Sequence, residues 1–242
     1  MRLHLLEHDS LDLPKTNIHL WAESRGHPLR HTYVCNRQEL PELEDFDWLM
    51  VMGGSPHAWD MENNPWLGEE KAFLSRSLNA GKIILGICFG AQLLAEAVGG
   101  GVFPNEHPEI GWFDVTLTAD GRASFLFKDI PGRFMTFHWH SDHFSLPPGC
   151  VRLASSEPTP NQAFLYPGRP VVGLQFHPEY TREVVIRFAR SEASEWAKGP
   201  FSNGAEAVLE KTLRLPDTRW LMFALLDNME KAFGSNSSRT QG

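Results

Sequence analysis

Cys88 stands in the run Gly86-Ile87-Cys88-Phe89-Gly90. An unbroken apolar stretch, 83–87, precedes it, and a helical pattern over 91–98 follows, stopped by Gly99 and Gly100. The first part fits a strand buried on both faces of a parallel sheet, and the second an α-helix. A cysteine on such a joint can serve as a nucleophile. The helix N-terminus favours thiolate over thiol, lowering a pKa that starts near ~8.5. The flanking glycines fit because a sharp strand-to-helix turn crowds the positions two residues either side. By itself the pattern also fits a buried structural cysteine in a βα turn.

A second chemical group lies at Gly173-Leu174-Gln175-Phe176-His177-Pro178-Glu179. His177 and Glu179 are two apart, so on extended backbone they point to one side. Pro178 biases His177 towards extended geometry. A carboxylate so placed can orient an imidazole that exchanges a proton with a cysteine. Alone, His-Pro-Glu reads rather as a surface turn.

Together with Met52-Gly53-Gly54-Ser55 upstream, these stretches resemble the class I (triad) glutamine amidotransferase family over roughly residues 45–190, and most of all its stand-alone members related to the glutaminase domain of GMP synthase. The resemblance implies Cys88 as nucleophile, His177 as general base and acid, and Glu179 as the orienting carboxylate. It implies an oxyanion hole from the Gly54 and Phe89 amides, and substrate contacts from Gly53, Ser55, Gln92, His140 and Asp142. The fold expected is α/β, a mostly parallel, flavodoxin-like central sheet flanked by helices with a small antiparallel segment. No metal or organic cofactor is expected. Ala91 departs from the family, where a histidine often stands between the glycine and the glutamine.

The run His138-Trp139-His140-Ser141-Asp142-His143 has two readings. Imidazoles and a carboxylate in alternation are good metal ligands. In the resembling family a His-x-Asp stretch lines the glutamine pocket, which would give Asp142 the substrate's α-amino group. The second reading is preferred, so no metal site is assigned.

The 242 residues can bury one sizeable core. The net charge of −8 leaves no basic stripe for phosphates, which argues against nucleic acid as a partner. Three unevenly spaced cysteines, Cys35, Cys88 and Cys150, are no disulfide framework. No run approaches the ~20 apolar residues of a membrane helix, and a cytoplasmic protein without membrane contact is expected.

Strands are expected at 3–6, 32–35, 47–52, 83–87, 112–118, 133–139, 151–155, 162–166 and 170–176. Helices are expected at 17–25, 66–79, 91–98, 182–196, 206–213 and 219–233, with Val185, Ile186 and Phe188 facing inward from the fourth. Residues 11–14 read as a loop, and 124–129 as a short helix or turn. The expected division is an amidotransferase-like domain over 1–198, a helical extension over 199–233, broken at Pro216, and a disordered tail over 234–242. The extension's apolar residues, such as Trp220, Leu221 and Leu225, either pack back on the domain or form a dimer or partner surface.

The implied activity is hydrolysis of the glutamine side-chain amide through a γ-glutamyl thioester. No Gly-x-x-x-x-Gly-Lys-Ser/Thr loop is found, so productive use of ammonia would require a separate synthetase subunit. The alternatives are a γ-glutamyl peptidase with a larger leaving amine, a binding or regulatory protein with an idle triad, and a cysteine α/β-hydrolase. The last places its acid before the histidine, the reverse of the order here.

Overall fold

The computed structural model describes residues 1–9, 14–191, 199–215 and 217–234. Among them one sheet holds β1 (Leu3–Glu7), β2 (Leu29–Tyr33), β3 (Trp48–Val51), β4 (Ile83–Ile87), β5 (Val102–Leu117), β6 (Arg133–Phe144), β7 (Val151–Ser155), β8 (Ala163–Tyr166) and β9 (Val171–Leu174). The order is β2-β1-β3-β4-β9-β8-β7-β5-β6. The strands from β2 to β9 in that order run parallel, and β8, β7, β5 and β6 continue the sheet antiparallel. The antiparallel part is larger than the sequence suggests, because β5 has 16 residues and β6 has 12.

Parallel neighbours need crossovers, and helices supply them. α1 (Asn17–Arg25) joins β1 to β2, α2 (Trp66–Asn79) joins β3 to β4, and α3 (Phe89–Ala97) leaves β4. α1 stops where Gly26 takes φ 69°, a left-handed conformation that favours glycine. The sheet alternates its side chains between two cores. Leu5, Trp48, Met50 and Leu85 enter the core shared with Trp21. Leu6, Leu49, Val51 and Ile84 enter the one shared with Phe73, Phe89 and Leu94. All five residues of β4 are buried, as its apolar run requires.

Three expectations shift. β2 runs over Leu29–Tyr33 rather than 32–35, and Val34–Asn36 turn into a 3₁₀ helix. As an edge strand paired only to β1, its Leu-Arg-His-Thr-Tyr sequence carries little burial pattern. β9 ends at Leu174, so His177 lies beyond it and touches the sheet through one isolated bridge to Phe137. In α5 (Arg182–Ser191) the buried residues are Val184, Val185, Phe188 and Ala189, and Ile186 is only half-buried.

A short helix, α4 (Ala119–Ala123), and a 3₁₀ turn, Phe125–Phe127, lie between β5 and β6. After α5 come α6 (Ala205–Arg214) and α7 (Arg219–Phe233). Leu221, Met222, Leu225, Leu226 and Met229 of α7 are buried in the core that holds Trp21. The Trp21 indole donates to Asp227 at 2.8 Å, while Trp220 stays 43% exposed. Most of the expected loop at 11–14, the end of the expected helix at 182–196, Pro216, and the expected tail beyond Gly234 lie outside the described residues. Among the described residues no helix is long and apolar enough to cross a membrane.

Candidate active site

Cys88 sits between β4 and α3 with φ 52° and ψ −111°. That conformation is costly for a residue with a Cβ, and it is a recurrent feature of functional turns. The crowding that imposes glycine on both sides is measurable. A Cβ at Gly90 would lie 1.9 Å from the Val51 carbonyl oxygen, and one at Gly86 2.5 Å from the Gly90 oxygen. The Cys88 amide donates to Leu174 at 2.7 Å, which ties the turn to β9. Its thiol donates to the Trp139 carbonyl and accepts from Gln175 Nε2, both at 3.6 Å.

β4 and β9 are adjacent parallel strands, so the segments leaving their C-terminal ends meet. His177 is held by its amide, which donates to the Phe137 carbonyl at 2.8 Å. Its Nδ1 is 2.7 Å from Glu179 Oε1, with both side chains buried. The Tyr180 ring stacks on the imidazole at 4.4 Å, nearly parallel. From the other side of the turn, the Asn17 amide at the start of α1 donates to the Glu179 carbonyl at 2.7 Å. Burial pulls the His177 pKa down, but Glu179 and the Cys88 sulfur outweigh it and carry it up to about 10. The arrangement is a thiol, an imidazole and a carboxylate in series.

The expected oxyanion residues also meet here. Gly54 and Phe89 line the same cavity as Cys88 and His177. Among the described residues neither the Gly54 nor the Phe89 amide has a hydrogen-bond acceptor. Gly53 packs against the triad, and a Cβ there would lie 3.0 Å from His177 Cε1. No sequence motif points to His8, which lies behind this loop on a fully buried contact with Glu70 of α2.

The cavity has a volume of about 540 Å³. Ser55, Gln92, His140 and Asp142 line it, whereas Glu179 and Gly53 do not. All four are already engaged within the protein, His140 through Glu109 at 3.2 Å. Ser55 donates to Asp9 at 3.0 Å. Gln92 Nε2 donates to the Asp142 carbonyl at 3.2 Å and to Gln175 Oε1 at 3.3 Å, which links it to the Gln175 that holds the thiol. The Asp142 carboxylate contacts His57 Nδ1 at 2.6 Å. The cavity lining includes the acids Asp9 and Asp142 and the apolar side chains Ile110, Trp139 and Phe188.

The six-residue histidine run divides. His138 and His140 meet Glu109 of β5, placed by the pairing of Glu109 with His140 across β5 and β6. All three are buried. Glu109 also accepts from Ser156 at 3.0 Å and from Gln162 at 2.7 Å. Burial lowers the His138 pKa to about 4, so that ring is neutral at pH 7. The Asp142 and His143 side chains stay out of the group, while the Asp142 carbonyl contacts His140 Nδ1 at 3.0 Å.

Comparison with known proteins names the class. The Glutamine amidotransferase class-I family matches residues 11–185, and the chain belongs to that family. It is 34% identical over 215 residues to the putative glutamine amidotransferase-like protein YfeJ of Salmonella typhimurium, covering 87% of this chain and 89% of that protein. It is 35% identical over 133 residues to a glutamine-hydrolyzing GMP synthase of Leifsonia xyli, covering 54% of this chain and only 25% of that larger protein. Among solved structures, a glutamine amidotransferase from Thermotoga maritima superposes with a TM-score of 0.82 at 26% identity, covering 95% and 97% of the two chains. The likeness is thus to a stand-alone, YfeJ-like amidotransferase, more distantly related to GMP synthase glutaminase domains.

Proposed function

We propose that this protein hydrolyses the side-chain amide of glutamine through a γ-glutamyl thioester on Cys88. The Cys88 thiolate attacks the amide carbon, and the carbonyl oxygen takes the charge. The Gly54 and Phe89 amides donate to that oxyanion. His177 Nε2 protonates the departing nitrogen, and ammonia leaves. His177 then accepts a proton from water as water attacks the thioester, releasing glutamate and the thiolate. Glu179 fixes the imidazole through Nδ1 and stabilises its charged form. Asp142 and Asp9 offer negative charge to the substrate's α-ammonium, while Ser55, Gln92, His140 and Gly53 shape its surroundings.

The observation that best supports this reading is the strained Cys88 turn facing the buried His177–Glu179 pair, whose members are 2.7 Å apart. Three free cysteines suit a reducing, cytoplasmic setting. The family's use of ammonia suggests a separate synthetase subunit as acceptor. The test is glutamate release from glutamine by the purified chain, with Cys88→Ala as control. Release by the wild type alone supports the reading, and equal release by both overturns it.

The cavity favours a second reading. At about 540 Å³ it exceeds the needs of glutamine alone, and Ile110, Trp139 and Phe188 give it apolar lining. A γ-glutamyl peptide or conjugate with a larger leaving amine would use that space. Turnover of γ-glutamyl peptides without turnover of glutamine would move the assignment there.

A further inference from the structure

His8 follows β1, next to Asp9, and has no part in the chemistry proposed above. Its ring is buried and touches both arms of the proposed oxyanion hole. It packs beneath Gly54, where a Cβ would lie 2.5 Å from His8 Cβ. It meets the Phe89 ring edge-on at 4.8 Å and stacks on Trp66 at 5.7 Å. Its Nδ1 is 3.2 Å from the Gly53 carbonyl oxygen and its Nε2 is 2.8 Å from Glu70 Oε1. Neither side chain of the His8–Glu70 pair is exposed.

The Gly53 carbonyl only accepts hydrogen bonds, and an ionised Glu70 carboxylate likewise accepts and does not donate. To satisfy the two at once, His8 must carry a proton on each nitrogen, as an imidazolium. Burial opposes the charge, but the Glu70 charge and hydrogen bond, the Gly53 carbonyl and Asp9 together raise the His8 pKa. The bond to the Gly53 carbonyl matters because of peptide planarity. The Gly53 C=O and the Gly54 N–H belong to one trans peptide and point in opposite directions. Fixing the carbonyl on His8 therefore turns the Gly54 N–H away from His8. A charged donor on the carbonyl also polarises the peptide and strengthens its N–H as a donor.

We propose that His8, held as an imidazolium by Glu70, is the positioning residue that sets the Gly53–Gly54 peptide for oxyanion binding. The inference rests on the proposed thioester chemistry at Cys88. In Glu70→Gln the charge is gone, His8 is free to become neutral, and its Nδ1 can present a lone pair to the Gly53 carbonyl. The peptide then loses the charged anchor that polarises it, while the packing volume is kept.

The test compares wild type, Glu70→Gln and His8→Ala in two reactions. The first is steady-state hydrolysis of glutamine and γ-glutamyl peptides. The second is alkylation by iodoacetamide, followed by mass mapping of the Cys88 peptide. Alkylation is a displacement at carbon that creates no oxyanion, so it reports the thiol alone. Loss of one oxyanion donor costs about 10²–10³-fold in kcat, and a misaligned one should cost about 10–100-fold. The expected result for Glu70→Gln is such a fall in kcat with KM changed less than about threefold and an unchanged alkylation rate. Retention of kcat within about twofold overturns the positioning role and leaves the Cys88 chemistry standing. A parallel fall in alkylation and kcat assigns the pair a purely structural role and also overturns it. If the wild type hydrolyses no γ-glutamyl amide, the underlying reading fails first. Should His8→Ala fail to fold, the near-isosteric Glu70→Gln still decides the matter.

Discussion

Glu179 acts on His177 through both contact and charge. It accepts the Nδ1 hydrogen bond at 2.7 Å and helps to raise the imidazole pKa to about 10. Replacement by Gln keeps a bonding partner of similar size and removes the charge. Glu179→Gln should lower kcat/KM for glutamine by at least about a hundredfold, since the orienting carboxylate stabilises the imidazolium that protonates the leaving nitrogen and is formed again as water attacks. Glutamate release measures it. The same pKa predicts a stability trend. His177 binds a proton more tightly in the folded protein than its ordinary value of 6.5 allows in the unfolded chain. The native state therefore holds the extra proton between those limits. The contribution is complete below about pH 6.5 and is lost as pH rises through about 10. Denaturant melts should show the stability gap between wild type and His177→Gln narrowing over that range.

The elements around the site owe their fit to two glycines in close approach. Gly90→Ala would put a methyl 1.9 Å from the Val51 carbonyl oxygen, and neither β3 nor α3 can yield. It should cost more than about 3 kcal/mol or prevent folding. Gly68, on the exposed face of α2, has open space around it, with nothing within 4 Å of where a methyl would stand. Gly68→Ala should be neutral or stabilising, by roughly 0.5 kcal/mol. Thermal melts of the two variants make the comparison. These elements also show what a sequence can carry. β4, α1 and α2 have the bounds expected, because an unbroken apolar run, as in β4, and a glycine soon after a helix, as with Gly26 and Gly81, are local signals. β2 slips by three residues at its start because a half-exposed edge strand has no such pattern. β5 extends beyond its expected start by pairing with β6 across the irregularity between Pro104 and Glu109, which only the partner strand specifies. Within the site, Cys88, His177 and Glu179 are legible from short motifs. His8, Glu70 and His57 are single polar residues with no motif spacing, and only folding makes them neighbours of the site.

For the whole molecule, α7 closes one face of the sheet. Five of its apolar side chains are buried, and burial of each is worth about 1.5–3 kcal/mol. Their sum rivals the roughly 5–15 kcal/mol that holds a typical domain together. Asp227 adds a bond to Trp21 at 2.8 Å and an ion pair to Arg25 at 2.7 Å, both on α1. Removal of residues 219–242 should yield an aggregated or unfolded chain, in which analytical gel filtration finds no monomer of native size. A well-folded truncated monomer would show that the α7 contacts contribute little.

The strand that leads into Cys88 is paired on one side to β3 and on the other to β9, from near the far end of the sheet-forming chain. During synthesis β4 emerges with only one of its two neighbours available. Its other edge waits while about 90 further residues are made, and these include the whole antiparallel half of the sheet. At the usual ~5–20 residues per second that interval lasts on the order of 5–20 seconds. For that time the nascent chain carries an open apolar edge and a thiol without its histidine. A ribosome-bound chain halted before Val171 should therefore react with alkylating agents as an ordinary cysteine does, and chemical competence should arrive in one step, when β9 inserts.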